Sequence, residues 1–169
     1  MKKLLIPMIV LALLVGCSKK DKEEVTTGDT TTEETVDSKS GELERSETGM
    51  PNLTKLDLVD GPEGMKYIIL KEGKGGQPGD GETAVVHYTG WFEGGKKFDS
   101  SVDRGKYFEF PVGRSKVIRG WDLGVADMRI GEKRLMVLPG NLAYGPRGYP
   151  GVIPPNATLI FEVELFDIK

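Results

Sequence analysis

One cysteine and one histidine stand in 169 residues. That scarcity excludes whole classes of chemistry. Structural zinc sites take several Cys or His ligands, a dithiol redox centre takes two thiols, and one cysteine cannot close a disulfide within its own chain. The sole histidine, His87, falls inside the alternating run TAVVHYTGWF. A hydrolase base would need a strand end or loop with an activated serine beside it. No GxSxG or phosphate-binding loop occurs, and GKGGQPGDG lacks the strand, GxxxxGK, helix order, so it reads as a turn. No paired carboxylates stand out. Between residues 51 and 169, Lys and Arg number 16 and so do Asp and Glu, which leaves no broad electrostatic attraction for nucleic acid. Internal repeats are absent as well.

What is present begins at the N-terminus. Lys2 and Lys3 precede an apolar run, Leu4 to Val15, too short at roughly a dozen residues to cross about 30 Å of hydrocarbon. It ends in LVGC, Leu14 to Cys17, which resembles the lipobox of bacterial lipoproteins. The resemblance implies a signal peptide over residues 1–16 and a lipidated Cys17, with each buried CH₂ contributing about 0.8 kcal/mol to membrane attachment. The expected location is the cell envelope, lipid-anchored on the extracytoplasmic side of a bacterial membrane. Ser18 favours the outer membrane where a cell has one. Residues 17–50 then form a tether. From Ser18 onward it carries ten acidic and five basic residues and no aromatics, too little apolar surface to offset ordering entropy.

From residue 51 to residue 169 the pattern becomes apolar runs split by Gly and Pro, a folded domain. KYIILKEG, TAVVHYTGWF, YFEFPVG, KRLMVLP and TLIFEVELFDI read as strands. Ala84, Val86 and Tyr88 share one face. Leu159, Phe161, Val163 and Leu165 do the same in the last run, with Glu162 and Glu164 opposite, a strand wet on one side. EGGK reads as a hairpin turn. Only residues 117–128, VIRGWDLGVADM, read as helical, with Gly131 as a stop signal. The expected class is α+β: a curled antiparallel sheet wrapped around one short helix that is too short to be stable alone.

Aromatic side chains mostly fill interiors, and from composition alone Tyr88, Trp91, Phe98, Phe108, Phe110, Trp121, Tyr144, Tyr149 and Phe161 read as core. Asp99 directly after Phe98, and Arg104 shortly before Phe108, change that reading, because an aspartate among aromatics needs a partner if buried.

The motifs VVHYTG, GKKFDSS, VIRGWDLGVADM and YGPRGYPGVIPPNATLIFEVEL, in this order and spacing, resemble an FKBP-type peptidyl-prolyl cis-trans isomerase from about Gly64 to Lys169. The resemblance implies catalysed rotation about Xaa-Pro bonds, assisting the folding of exported or envelope proteins, and no cofactor or metal. It assigns Tyr88, Phe98, Asp99, Phe108, Trp121 and Phe161 to a pocket wall with Trp121 as its floor. It further assigns the Ile118 N–H and the Tyr144 hydroxyl to substrate carbonyls, and Arg104 to holding Asp99 and the tyrosine. Val117 falls at the pocket edge and Tyr149, Val152 and Ile153 in the flap. Phe110 and Leu159 read as core only, and Trp91 as surface or hairpin packing. Expected partners are Xaa-Pro segments of unfolded exported proteins, FK506-like macrolides as competitors and a membrane through Cys17; a monomer is expected, with no nucleic acid. Lys116 stands where many eukaryotic members have an acid, Tyr149 where a histidine is common, and PGNLAYG looks one residue longer than in some relatives. The flap is short, so the inserted chaperone domain of some bacterial relatives is absent. A second reading stays beside catalysis: a non-catalytic module that docks proline segments in the same pocket.

Overall fold

The two longest strands set the frame. Thr83–Phe92 (β3) and Leu159–Ile168 (β7) are rich in β-branched and aromatic residues and pair antiparallel from Ala84↔Ile168 to Phe92↔Leu159. The computed structural model describes residues 43–169; the expected signal peptide, Cys17 and the tether through residue 42 lie outside the described residues. Around the central pair run Val59–Asp60 (β1), Lys66–Lys71 (β2), Lys97–Ser100 (β4), Phe108–Pro111 (β5) and Lys133–Leu138 (β6), every pairing antiparallel.

This sheet corrects the expected architecture. The strands follow an open path, β1-β2-β6-β7-β3-β4, with β5 also paired to β3. Nothing pairs β1 with β4, and the sheet is neither curled around the helix nor closed. The sheet-plus-helix class stands; the wrapping does not. Alternation in a sequence reports which residues are buried, not whether the sheet bends around what buries them. Here β4 and β5 share one edge of β3, β4 pairing at Thr89 to Trp91 and β5 at Thr83 to Val86. The gap between them is filled by Ser101, whose N–H donates to the Tyr88 carbonyl (3.0 Å) and whose Oγ accepts from the Tyr88 N–H (2.8 Å).

The helix, Arg119–Val125 (α1), is shorter than the apolar pattern from 117 to 128 suggests. Ile118 is extended at its N-cap (φ −60°, ψ 147°), so Val117 and Ile118 form an edge before the helix rather than its first turn. The helix lies close against β6: a Cβ on Gly120 would come within 2.6 Å of Leu138 Cδ1, and one on Gly124 would collide with Met136. Its C-terminal end is tied to the sheet by buried Arg134, which donates to the Gly124 carbonyl (3.1 Å), to Asp127 (2.6 Å) and to buried Glu132 (2.7 Å). Between helix and sheet, Val86, Val125, Met128, Met136, Leu138, Leu159 and Val163 are fully buried.

The opposite face of the sheet has its own apolar cluster. Trp91, Leu135 and Ile160 are buried there beneath Met50, Leu53 and Leu56. Residues 43–50, which the sequence assigns to the end of the tether, lie against this face. Trp91 Nε1 donates to the Thr48 carbonyl (3.1 Å), Thr48 Oγ1 to the Gly95 carbonyl (2.6 Å), and Arg45 pairs with Glu162 (2.7 Å). Trp91 is therefore interior rather than surface, and the face of β7 expected to be wet carries buried Ile160 and largely covered Glu162 and Glu164, ion-paired with Arg45, Lys133 and Lys71. The strap that covers them has too few apolar residues to announce itself.

Trp91→Ala should therefore cost about 3–5 kcal/mol of stability, the range for truncating a buried Phe or Trp. A surface tryptophan would give a change within about 0.5 kcal/mol. Urea denaturation of the two proteins distinguishes these outcomes.

Candidate functional site

Trp121 enters the sheet's inner face from the first turn of α1, and four aromatic rings stand around it. Tyr88 on β3 meets it edge-on (centroids 5.0 Å apart, planes at 84°), as do Phe161 on β7 (5.4 Å, 85°) and Phe108 on β5 (5.8 Å, 81°). Phe110 lies tilted beside it at 5.6 Å. Edge-to-face contact sets the positive rim of one ring against the negative face of another, so such pairs add to simple burial. Phe98 on β4 closes the circle against Phe161 (5.7 Å, 87°). That closure needs Gly90, where a Cβ would fall 2.7 Å from Phe98 and 2.9 Å from Phe161.

These rings enclose a cavity of about 160 Å³ lined by Tyr88, Phe98, Asp99, Phe108, Lys116, Val117, Ile118, Trp121, Tyr144 and Phe161. Geometry thus brings together Tyr88, Phe98, Asp99, Phe108, Val117, Ile118, Trp121, Tyr144 and Phe161 from the sequence-derived set. It does not put Arg104, Tyr149, Val152 or Ile153 in that lining. Arg104 acts on the cavity from behind, through Asp99. Tyr149 and Val152 are 54% and 49% exposed, while Ile153 is buried in the core and joined to Tyr149 by a backbone bridge. Tyr144, on the segment between β6 and β7, touches Tyr149 with ring centroids 5.9 Å apart.

One polar unit stands in this apolar wall. The Tyr88 hydroxyl and the Arg104 guanidinium both donate to Asp99, Arg104 also donates to the Tyr88 oxygen (3.1 Å), and the Ser100 N–H donates to Asp99 Oδ1 (2.8 Å). Burial pushes the Asp99 carboxyl up, but the hydrogen bonds from Tyr88 and Arg104 and the guanidinium charge outweigh it and hold it below the ordinary carboxylate range. Burial, then the bond to Asp99, raises the Tyr88 phenol. Burial raises the Tyr144 phenol too, with the charges of Asp99 and Tyr149 adding to it.

Donors at this site are left free. The Ile118 N–H and the Tyr144 hydroxyl give no hydrogen bond among the described residues, and buried Trp121 Nε1 has no partner. Among the described residues no group of three or more His, Cys, Asp or Glu could hold a metal ion.

Two further residues lie within the quoted motifs but carry no assigned role there. Asp122 on α1 accepts from the N–H of Gly113 (3.0 Å) and of Ser115 (2.8 Å), pinning the loop that leads to Val117 and Ile118. Ser101 fixes the backbone of Tyr88. Asp122 carries a signal, an acid in the first turn of a helix; Ser101 carries none.

A profile described as FKBP-type peptidyl-prolyl cis-trans isomerase matches residues 74–166, more than half of the chain. The chain belongs to this family. It is 52% identical over 107 residues to FK506-binding protein 1 of Candida glabrata, covering 63% of this chain and 94% of that one. To peptidyl-prolyl cis-trans isomerase FKBP1A of Xenopus laevis it is 50% identical over 107 residues, covering 63% of this chain and 99% of the relative. The crystal structure of FkpA from Escherichia coli superposes with a TM-score of 0.64 at 42% identity; the match covers 69% of this chain and 54% of FkpA, so the chain spans about half of that protein. A Pseudomonas syringae peptidyl-prolyl cis-trans isomerase gives a TM-score of 0.61 at 30% identity, with 66% and 80% covered.

The protein is a catalytic isomerase of Xaa-Pro bonds, as these relationships require. They also correct the expected location. The relatives at 47–54% identity are proteins of yeasts, a frog and a fly, eukaryotic cells without a bacterial envelope. Placement in a bacterial envelope is withdrawn. An N-terminal pattern is read by a targeting machinery; it is not enforced by the fold.

The site's electrostatics set a pH profile. Asp99 has a lowered folded pKa, so its contribution is complete above the ordinary carboxylate value of about 3.9 and is lost as pH falls through the lower folded value. Tyr88 is raised, so it remains a donor past pH of about 10. Turnover (kcat/KM) should be flat from about pH 5 to 9 and fall only below about pH 3.9. A stopped-flow profile showing a midpoint near neutrality would contradict this assignment.

Proposed function

We propose that the aromatic cavity is where the Xaa-Pro bond is twisted, with Trp121 as the platform for the proline ring. The observation that carries this is the combination of six aromatic side chains lining one cavity with donors that have no partner among the described residues, including Ile118 N–H, Tyr144 OH and Trp121 Nε1. Rotation about the amide must cross about 18–20 kcal/mol, because resonance gives the C–N bond double-bond character. No bond is made or broken, so neither a nucleophile nor a metal is called for. The planar amide is charge-separated and the twisted one is not. An apolar wall therefore disfavours the planar form relative to the twisted one. A million-fold acceleration would need about 8 kcal/mol of this preference.

In this reading Trp121 and Phe161 fix the ring, and Tyr88, Phe98 and Phe108 exclude water. The Ile118 N–H and Tyr144 hydroxyl hold the carbonyls flanking the rotating bond. Asp99 and Arg104 act as positioning residues that lock the Tyr88 ring. Tyr149, Val152 and Ile153 form the flap beside it. Substrates are Xaa-Pro segments of unfolded proteins with an apolar residue before the proline, and FK506-like macrolides compete for the same space. The yeast relatives' names, FK506-binding protein 1, support that last point. Cis-trans exchange of a Leu-Pro peptide by the full chain should be abolished by FK506. Asp99→Val and Phe161→Tyr should each lower kcat/KM by about tenfold or more, equivalent to about 1.4 kcal/mol, with unchanged circular dichroism. Full activity in both variants would remove the cavity from the mechanism.

Lipid attachment at Cys17, the lipoprotein form, is the second part of the proposal. It rests on Lys2, Lys3 and the apolar run that ends at Cys17. Cys17→Ser should move the chain from a detergent-soluble to an aqueous phase on Triton X-114 partitioning, and unchanged partitioning would reject it.

A further inference from the structure

Among the residues lining the cavity only Asp99 and Lys116 are charged. Asp99 is matched by Arg104. Lys116 is exposed and takes part in no ion pair among the described residues. A second groove adjoins the cavity at Phe108, which lines both, and is lined also by Arg104, Lys106, Tyr107 and Glu109. There Glu109 is matched by Lys169 (2.8 Å), whereas Lys106 has no carboxylate partner among the described residues. Every acid lining these two cavities is thus satisfied, and two lysines are not. Neighbouring cations do not share this condition: Arg114 is paired with Asp80 and Arg119 with Glu63.

The backbone that carries Lys116 is held in place. Ser115 sits at φ +52°, a conformation few non-glycine residues adopt, and its N–H donates to Asp122. Lys116 follows directly and leads into Val117 and Ile118 at the cavity edge. A charge carried on a pinned backbone at a pocket rim stays near that rim and biases which ligands dock there.

We infer that Lys116, assisted by Lys106, makes this isomerase prefer proline segments that carry a carboxylate beside the Xaa-Pro pair. The inference rests on the cavity being the substrate site. An acidic residue flanking the pair meets unpaired positive charge, and a basic one meets repulsion. The rotating bond itself is untouched, so discrimination falls on KM rather than kcat. Exposed ion pairs of this kind are weak, which corresponds to about a two- to fivefold difference in kcat/KM between acidic and neutral peptides.

The test compares three Leu-Pro peptides that differ only in Glu, Gln or Lys on either side of the pair, turned over by the full chain. At low salt the order should be Glu, then Gln, then Lys, and it should collapse in 1 M NaCl. Lys116→Gln should narrow the Glu-to-Lys ratio, Lys116→Glu should invert it, and Lys106→Gln should narrow it further in the Lys116→Gln background. Equal rates for the three peptides, with the Gln peptide still turned over in an FK506-sensitive manner, would overturn the charge preference and leave the cavity assignment standing. Preference that persists in the double variant would overturn the role of these lysines. Absence of FK506-sensitive turnover for all three peptides would instead overturn the cavity assignment, and the preference with it.

Discussion

Everything at this site depends on how near the helix can come to the sheet. Gly120 and Gly124 leave no side chain on the face of α1 that meets Leu138 and Met136, so the short helix settles directly onto β6. That approach delivers Trp121 into the inner face at the depth where Tyr88, Phe108 and Phe161 can meet it edge-on. A methyl group at either glycine would lift the helix and with it the floor of the cavity. The helix is only seven residues long, too short to hold itself. Its geometry is therefore a property of what it packs against, and Arg134 holds its other end through the Gly124 carbonyl.

The polar part of the wall obeys a similar economy of parts. An aspartate among aromatic rings would take up a proton if left alone. Three donors, from Tyr88, Arg104 and the Ser100 backbone, keep it charged and immobile. The outcome is a wall that looks apolar to a proline ring yet has its tyrosine fixed in one rotamer. Free hydrogen-bonding capacity is left in the cavity wall, at the Ile118 N–H and the Tyr144 hydroxyl.

Much of this was legible in the residues. Alternation in β3 and β7 announced the inner face from Ala84 to Tyr88 and from Leu159 to Leu165, and four ordered motifs announced the family and contain the residues that line the cavity except Phe108 and Lys116. Three things were not legible. The strap over Trp91 and Ile160 was hidden because Arg45 and Thr48 act through an ion pair and single hydrogen bonds and Met50 through apolar packing, with no periodic pattern. The open path of the sheet was hidden because β4 and β5 divide one edge of β3, a matter of register rather than composition. Ser101 was hidden because a serine that plugs a gap between strands has the same letter as one in solvent.

The same arrangement separates the molecule's two tryptophans. Trp121 floors the cavity on the inner face, and Trp91 lies under the strap on the other, each buried among different neighbours. The intrinsic emission of this protein is consequently the sum of two chromophores that answer to different events. One senses an occupant of the cavity, the other the seating of the N-terminal segment, and replacing either with phenylalanine would leave a single-colour optical report on its partner.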